Sequence, residues 1–335
     1  MIFLCSQRLV NLFFLPYLSM LIITGNNAHE IEKFKSVLTE KFLIKDLGEL
    51  KYFLGIEILK DKNGVCLSQR KYCLDLLKDF GLLGCKPMKS PLEANVVLAS
   101  KESQNDKLLT NVTEYQKLIG KLIYLTITRP DIAYSVQCLS QYMHAPLQSH
   151  LKVAFRVLRY LKGSPGKGIV IDKSKEFGLC AYSDADWGKC LSSRRSVSGY
   201  LVYLNGSLVS WKSKKQATVS RSSAESEYRC LATTCEIVCI LKILKDLNVQ
   251  YTLPINIFCD CKPAIQIGNN PVFHERTKHF EINLHLVREK VSNGVINLVK
   301  IVSDEQPTDL LTKGLNIVAH HYLCSKLRLK DLFQS

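Results

Sequence analysis

Apolar positions recur every three to four residues over 27–43, where Ile31, Phe34, Leu38 and Phe42 are separated by charged side chains, and this period predicts an amphipathic helix. The period then changes. Residues 51–72 hold two short apolar runs around Asn63-Gly64, a pair that tolerates positive φ at both turn positions, so a hairpin is expected there and a helix over 72–80 after it. The polar stretch 90–111 reads as a linker. Helical spacing returns over 112–162, with Leu118, Leu122 and Leu125 on one face, a break at Arg129-Pro130 and two further helices within 132–161.

The run GSPGKG at 163–168 punctuates the chain, and alternation beyond it predicts antiparallel strands over 178–186, 198–204 and 208–211, the last two joined at Asn205-Gly206. A long helix over 223–247, a buried strand over 255–259, helices over 262–268 and 280–292, a strand over 295–302 and a final helix from 308 are expected next. Antiparallel strands leading into alternating helices and strands make a mixed sheet with helices on its faces. The fold class is therefore α/β, or α+β for the chain as a whole. The boundaries expected are 1–90, a linker at 91–111, a helical segment at 112–168, a mixed-sheet domain at 176–318 and a tail at 319–335.

Residues 1–24 are apolar enough to suggest an anchor, but Gln7, Arg8 and Asn11 interrupt the run and Pro16 breaks any helix, so buried strands and no stable membrane association are expected. With 335 residues, 47% apolar and 22% charged, the chain has a soluble globular composition. Its 45 Lys and Arg against 30 Asp and Glu give +15, which favours a polyanionic partner over a small neutral one. The 13 cysteines are scattered and form no CxxC pair, as expected of reduced thiols in cytoplasm or nucleus and not of a secreted protein. Cys259 and Cys261 read as buried small hydrophobes.

Four acids stand out. Asp184 and Asp260 close two predicted strands, Glu227 lies on the long helix, and Asp309 heads the last one, with Asp304 and Glu305 as alternatives to it. Ser222 and Glu225 have capping-box spacing, and Glu227 lies nearer the buried stripe, so Glu225 is read as the cap and Glu227 as the ligand. Asp186 is expected to alternate onto the opposite face from Asp184 and is set aside. Clustered carboxylates raise one another's pKa unless a cation neutralises them, and hard oxygen donors suit Mg²⁺, here two ions about 4 Å apart with Mn²⁺ as a substitute. Arg194, Arg195, Lys212, Lys214, Lys215 and Arg221, with Arg276 and Lys278 beside His274 and His279, would counter the acids and follow a nucleic-acid backbone.

The motifs DLGELKYFLGIEI (46–58), YQKLIGKLIYLTITRPDIAYSV (115–136), YSDADWGKC (182–190), RRSVSGYLVYLNGSLVSWKSKKQATVSRSSAESEY (194–228), FCDCKPAI (258–265), NPVFHERTKHFEI (270–282) and TDLLTKGL (308–315) resemble the C-terminal part of Ty1/copia-type retrotransposon Pol polyproteins, nearly end to end. The resemblance implies a reverse transcriptase palm and helical thumb followed by a ribonuclease H domain. Its acids fall on Asp184, Glu227, Asp260 and Asp309, and its substrate is an RNA/DNA hybrid cut to leave 5′-phosphate ends. One Mg²⁺ is expected on Asp184 and Asp260 and the other on Asp184, Glu227 and Asp309, with 2′-hydroxyl contacts near Ser222 and Glu227; other Pol- or Gag-derived chains are the expected partners. The departure lies at Tyr17–Asn26, where Ser19 and Met20 occupy the place of the two polymerase aspartates, so the palm is expected to be truncated and inactive. A decayed, non-catalytic nucleic-acid-binding relic is the alternative.

Overall fold

The computed structural model describes residues 3–7, 10–17, 20–25, 27–62, 64–94, 96–173, 178–190, 192–235, 237–249, 251–270 and 281–333. Two units make it up, Met1–Phe53 with Val238–Tyr251, and Leu54–Ile237 with Thr252–Ser335. In the first, β1 (Phe3–Gln7), β2 (Val10–Tyr17) and β3 (Met20–Gly25) form an antiparallel sheet, so the described parts of the N-terminal apolar run are strand. Helix α1 (Ala28–Lys41) starts where the Asn27 side chain accepts hydrogen bonds from the His29 and Glu30 N–H groups at 3.0 and 3.3 Å. The short β4 (Tyr52–Phe53) follows. Among the described residues no helix is long and apolar enough to cross a membrane.

The second unit opens with the expected hairpin, β5 (Ile56–Asp61) and β6 (Gly64–Ser68), and then α2 (Arg70–Asp79). Helices α3 (Val112–Leu125), α4 (Ala133–Ser140) and α5 (Gln148–Lys162) match the helical period, and Leu118, Leu122 and Leu125 lie in one core with Leu76, Leu77, Val157 and Leu161. The break at Arg129-Pro130 is anchored. Arg129 forms a bidentate pair with Asp131 at 2.9 and 2.8 Å, Tyr160 donates to Asp131 at 2.7 Å, and His320 lies 3.1 Å from the Tyr160 hydroxyl.

Strand β7 (Lys167–Asp172) was not expected, since only Ile169, Val170 and Ile171 mark it, too few to show alternation; it pairs antiparallel with β6. The main sheet contains β8 (Leu179–Asp186), β9 (Val197–Leu204) and β10 (Ser207–Lys215). Asn205 and Gly206 form the β9–β10 turn with φ of 52° and 73°, as the sequence pair requires. The helix expected over 223–247 is two, α6 (Ser223–Thr234) and α7 (Ile237–Asp246). Thr233 and Thr234 bond back to the carbonyls of Arg229 and Cys230 at 3.0 and 2.9 Å, a competition that weakens helix continuation just before the break.

Strand β11 (Ile255–Cys259), α8 (Lys262–Asn269), α9 (Glu281–Ser292), β12 (Ile296–Lys300), α10 (Asp309–Thr312) and α11 (Ile317–Lys326) follow. The sheet order is β10-β9-β8-β11-β12, with β8, β9 and β10 antiparallel and β11 parallel to both β8 and β12. This is the mixed sheet the sequence predicts. The segment expected to be a tail instead adds α11 and β13 (Leu329–Asp331), which pairs with β7.

Candidate active site

The β8–β11 register pairs Ser183 with Cys259, so Asp184 and Asp260, each one residue further, leave adjacent parallel strands at the same end of the sheet. Glu227 comes from α6, where the Ala185 backbone N–H supports its carboxylate. Asp309 opens α10, which lies against β9. Gly199 permits that approach, since a Cβ there would come within 2.8 Å of both Leu311 Cβ and Thr312 Cγ2.

Two groupings result. Ligand atoms of Glu227, Asp260 and Cys259 lie within 4.8 Å of one another. The Lys313 ammonium bridges Asp309 and Asp184, at 2.7 Å from the first and 3.8 Å from the second. Thr312 donates a hydrogen bond to Asp184, and Ser303 donates one to Asp260 at 2.8 Å. Glu227 thus converges with Asp260, while Asp309 stands with Asp184, a grouping different from the ion sets the sequence suggested.

Electrostatics follow from burial. Asp184 is 2% exposed, and its carboxyl is pushed up to about 7 by desolvation and then by Asp309 and Asp260, against the pull of Lys313. Glu227 rises to about 9 through desolvation, with Asp184 and Asp260 adding to it. Asp309 is also raised by burial, against Lys313. Burial opposes the Lys313 charge, but Asp184, Asp309 and then Asp186 reverse that and hold the amine above the ordinary lysine range. Buried carboxyls with too little positive charge around them are the environment a divalent cation relieves, so the residues fit Mg²⁺. The Cys259 thiol, raised far above its usual value by burial and then by Glu227, stays protonated and lies 3.9 Å from Glu227 Oε2.

The neighbouring acids sort by their partners. Glu225 accepts from the Arg221 N–H at 2.9 Å and is clasped by Arg229 at 3.0 and 2.8 Å, while Ser222 accepts from the Glu225 N–H at 3.1 Å, so the cap forms with Arg221 as the reciprocal donor. Asp186 requires a correction. Residues two apart on a strand share a face, so Asp186 lies on the Asp184 side, where it pairs with Lys189 at 3.1 Å and adds to the field on Lys313. Glu305 is held by Tyr322 at 2.8 Å and by Lys326 and serves the α11 contact. Asp304 is exposed.

Of the basic residues, Arg194, Arg195, Lys214 and Arg221 are exposed, and Lys212 is half-buried. Lys212 and Lys214 share one face of β10, opposite Trp211 and Ser213, which bond to Thr126 and Leu311. Lys215 turns inward to Gln141 at 2.9 Å and Cys190 at 3.0 Å and is thereby withdrawn from any backbone. Arg276, Lys278, His274 and His279 lie outside the described residues. Cys259 is the buried residue the sequence suggested, though its contact with Glu227 was not foreseen, and sequence reasoning missed Ser303, Thr312 and Lys313. The Asp309–Lys313 spacing of four was the one available signal, whereas the others depend on side chains meeting across elements.

Comparison with known proteins gives the following. A family model described as reverse transcriptase (RNA-dependent DNA polymerase) matches residues 4–94. The retrovirus-related Pol polyprotein from transposon RE1 of Arabidopsis thaliana is 41% identical over 94% of this chain, which spans only 21% of that protein. A putative transposon Ty5-1 protein of Saccharomyces cerevisiae is 31% identical over 63% of this chain and 69% of its own length. An N-terminal RNase H domain from Mycobacterium tuberculosis, solved as a fusion with maltose binding protein, overlaps 45% of this chain and 98% of its own with 13% identity and a TM-score of 0.31, too slight a likeness to weigh beside the strand order.

Proposed function

This chain belongs to the copia-type retrotransposon Pol polyproteins, and from that premise we propose that its mixed-sheet region hydrolyses the RNA strand of RNA/DNA hybrids in the manner of ribonuclease H. The observation that carries the reading is the meeting of Asp184, Glu227, Asp260 and Asp309 at one sheet end, with two of the carboxyls pushed up to about 7 and about 9. Asp184 with Asp309 would hold one Mg²⁺ and Glu227 with Asp260 the other. When bound, the ions supply an activated water and stabilise charge on the leaving 3′ oxygen.

The chain's own residues keep this arrangement fixed. Thr312 orients Asp184 and Ser303 orients Asp260, so these two carboxylates are placed before an ion arrives. Ser222, the cap residue of α6, and Glu227 lie on the same helix, where 2′-hydroxyl contacts would select RNA. Arg194, Arg195, Lys212, Lys214 and Arg221 supply positive charge for the phosphates. Products with 5′-phosphate ends, action in cytoplasm or nucleus, and association with other Pol- or Gag-derived chains complete the proposal.

The test is cleavage of a labelled hybrid with Mg²⁺ or Mn²⁺. We expect Asp184→Asn to lower the rate by at least about a hundredfold, the scale of losing one fixed electrostatic group. Equal rates for the two proteins would leave the non-catalytic relic as the better reading.

A further inference from the structure

Lys313 is the charged group at this site that the hydrolysis does not use. Its ammonium lies 2.7 Å from Asp309 Oδ1 and 3.8 Å from Asp184 Oδ2, with Asp186 acting on it from the same strand face. Its side chain is 33% exposed, so a route to solvent is open. Thr312, one residue earlier, binds Asp184 as well, which makes a single turn of chain the closure of this half of the site. The other half is built differently, because Lys300 donates to the backbone carbonyl of Asp260 and leaves the carboxylate to Ser303.

An ammonium and a divalent ion repel strongly at contact distance, and two carboxylates bridged by one ammonium cannot neutralise both cations. We propose that Lys313 is a built-in counter-cation that neutralises Asp184 and Asp309 until a divalent ion enters, and is then displaced toward solvent. Ion binding at this pair is therefore a competition with the lysine, whereas binding at Glu227 and Asp260 is not. The inference rests on the two-ion reading above and refines it.

The experiment measures Mn²⁺ binding to the full chain by calorimetry without nucleic acid, together with melting temperature with and without the ion. Lys313→Gln keeps a hydrogen-bond donor and removes the charge, so it should bind one Mn²⁺ about tenfold more tightly than the parent protein, melt lower without the ion and recover more on its addition. Lys313→Arg should stay within about threefold of the parent, and Lys300→Met, which removes a charge without touching a ligand carboxylate, should do the same. A Lys313→Gln protein that folds only when Mn²⁺ is present supports the proposal equally, because the ion then replaces the missing charge. Equal Mn²⁺ affinity in the parent and Lys313→Gln overturns it and leaves the hydrolysis standing, while failure of both to bind Mn²⁺ overturns the two together.

Discussion

Burial holds the Glu227 carboxyl at about 9 and that of Asp184 at about 7, so the folded protein without metal keeps protons there near neutrality. A carboxyl raised above its unfolded value binds more protons folded than unfolded, and stability falls as pH climbs between the two values. His320 works in the opposite sense, pushed down by burial from 6.5 to about 4, but its slope is confined below the upper of these values. Between pH 7 and 8 Glu227 contributes a decline of up to about 1 kcal/mol per pH unit, opposed by the Cys190 thiol, which burial would raise but hydrogen bonds from Ser192, Ser193 and Lys215 hold down to about 6. Thermal unfolding of the metal-free proteins should show stability changing more positively with pH across this window in Glu227→Gln than in the parent; parallel slopes would contradict the assignment. Glu225 and Glu227 are both buried, so their depth in the helix could not separate them, and capping chemistry did. Asp186 was misplaced by miscounting a period of two, and Cys259 reaches Glu227 across elements that sequence spacing does not relate.

The elements position these side chains through one close approach. At Gly199 any side chain would collide with Leu311 and Thr312, the residues by which α10 rests on β9 and offers Asp309 and Thr312 to the site. Gly199→Ala should cost roughly 1–3 kcal/mol by overpacking and weaken Mn²⁺ binding by displacing Asp309. Urea unfolding and calorimetry measure the two effects, and an unchanged ion affinity would mean that α10 moves without consequence. Long helices and turn-marked hairpins were legible in the chain because the period and the Asn-Gly pair act locally. Strands β7 and β13 were not, since residues 169–171 give β7 too few apolar positions to show alternation, β13 has three residues, and both pair with partners far away in sequence. The end of α6 was hidden because threonine back-bonding, and no proline or glycine, precedes it.

For the molecule as a whole, the reverse transcriptase model covers residues 4–94, yet Ser19 and Met20 offer no carboxylate where the resemblance calls for two. The full chain is expected to extend no primer with either Mg²⁺ or Mn²⁺, and deoxynucleotide incorporation above background would refute this. The mixed sheet was readable from the order of strand and helix patterns along the chain. What binds the second unit together was less so. The Arg129–Asp131–Tyr160–His320 chain of contacts brings the turn before α4 to α5 and α11, and nothing in the spacing of those four residues announces it. Strand β13 carries a practical consequence of the same kind. It contributes three residues, and it occupies the side of β7 that β6 does not. A chain shortened before residue 329 would present the bare N–H and C=O groups of residues 167–169 to any passing strand. Self-association at high concentration is then the first symptom to look for.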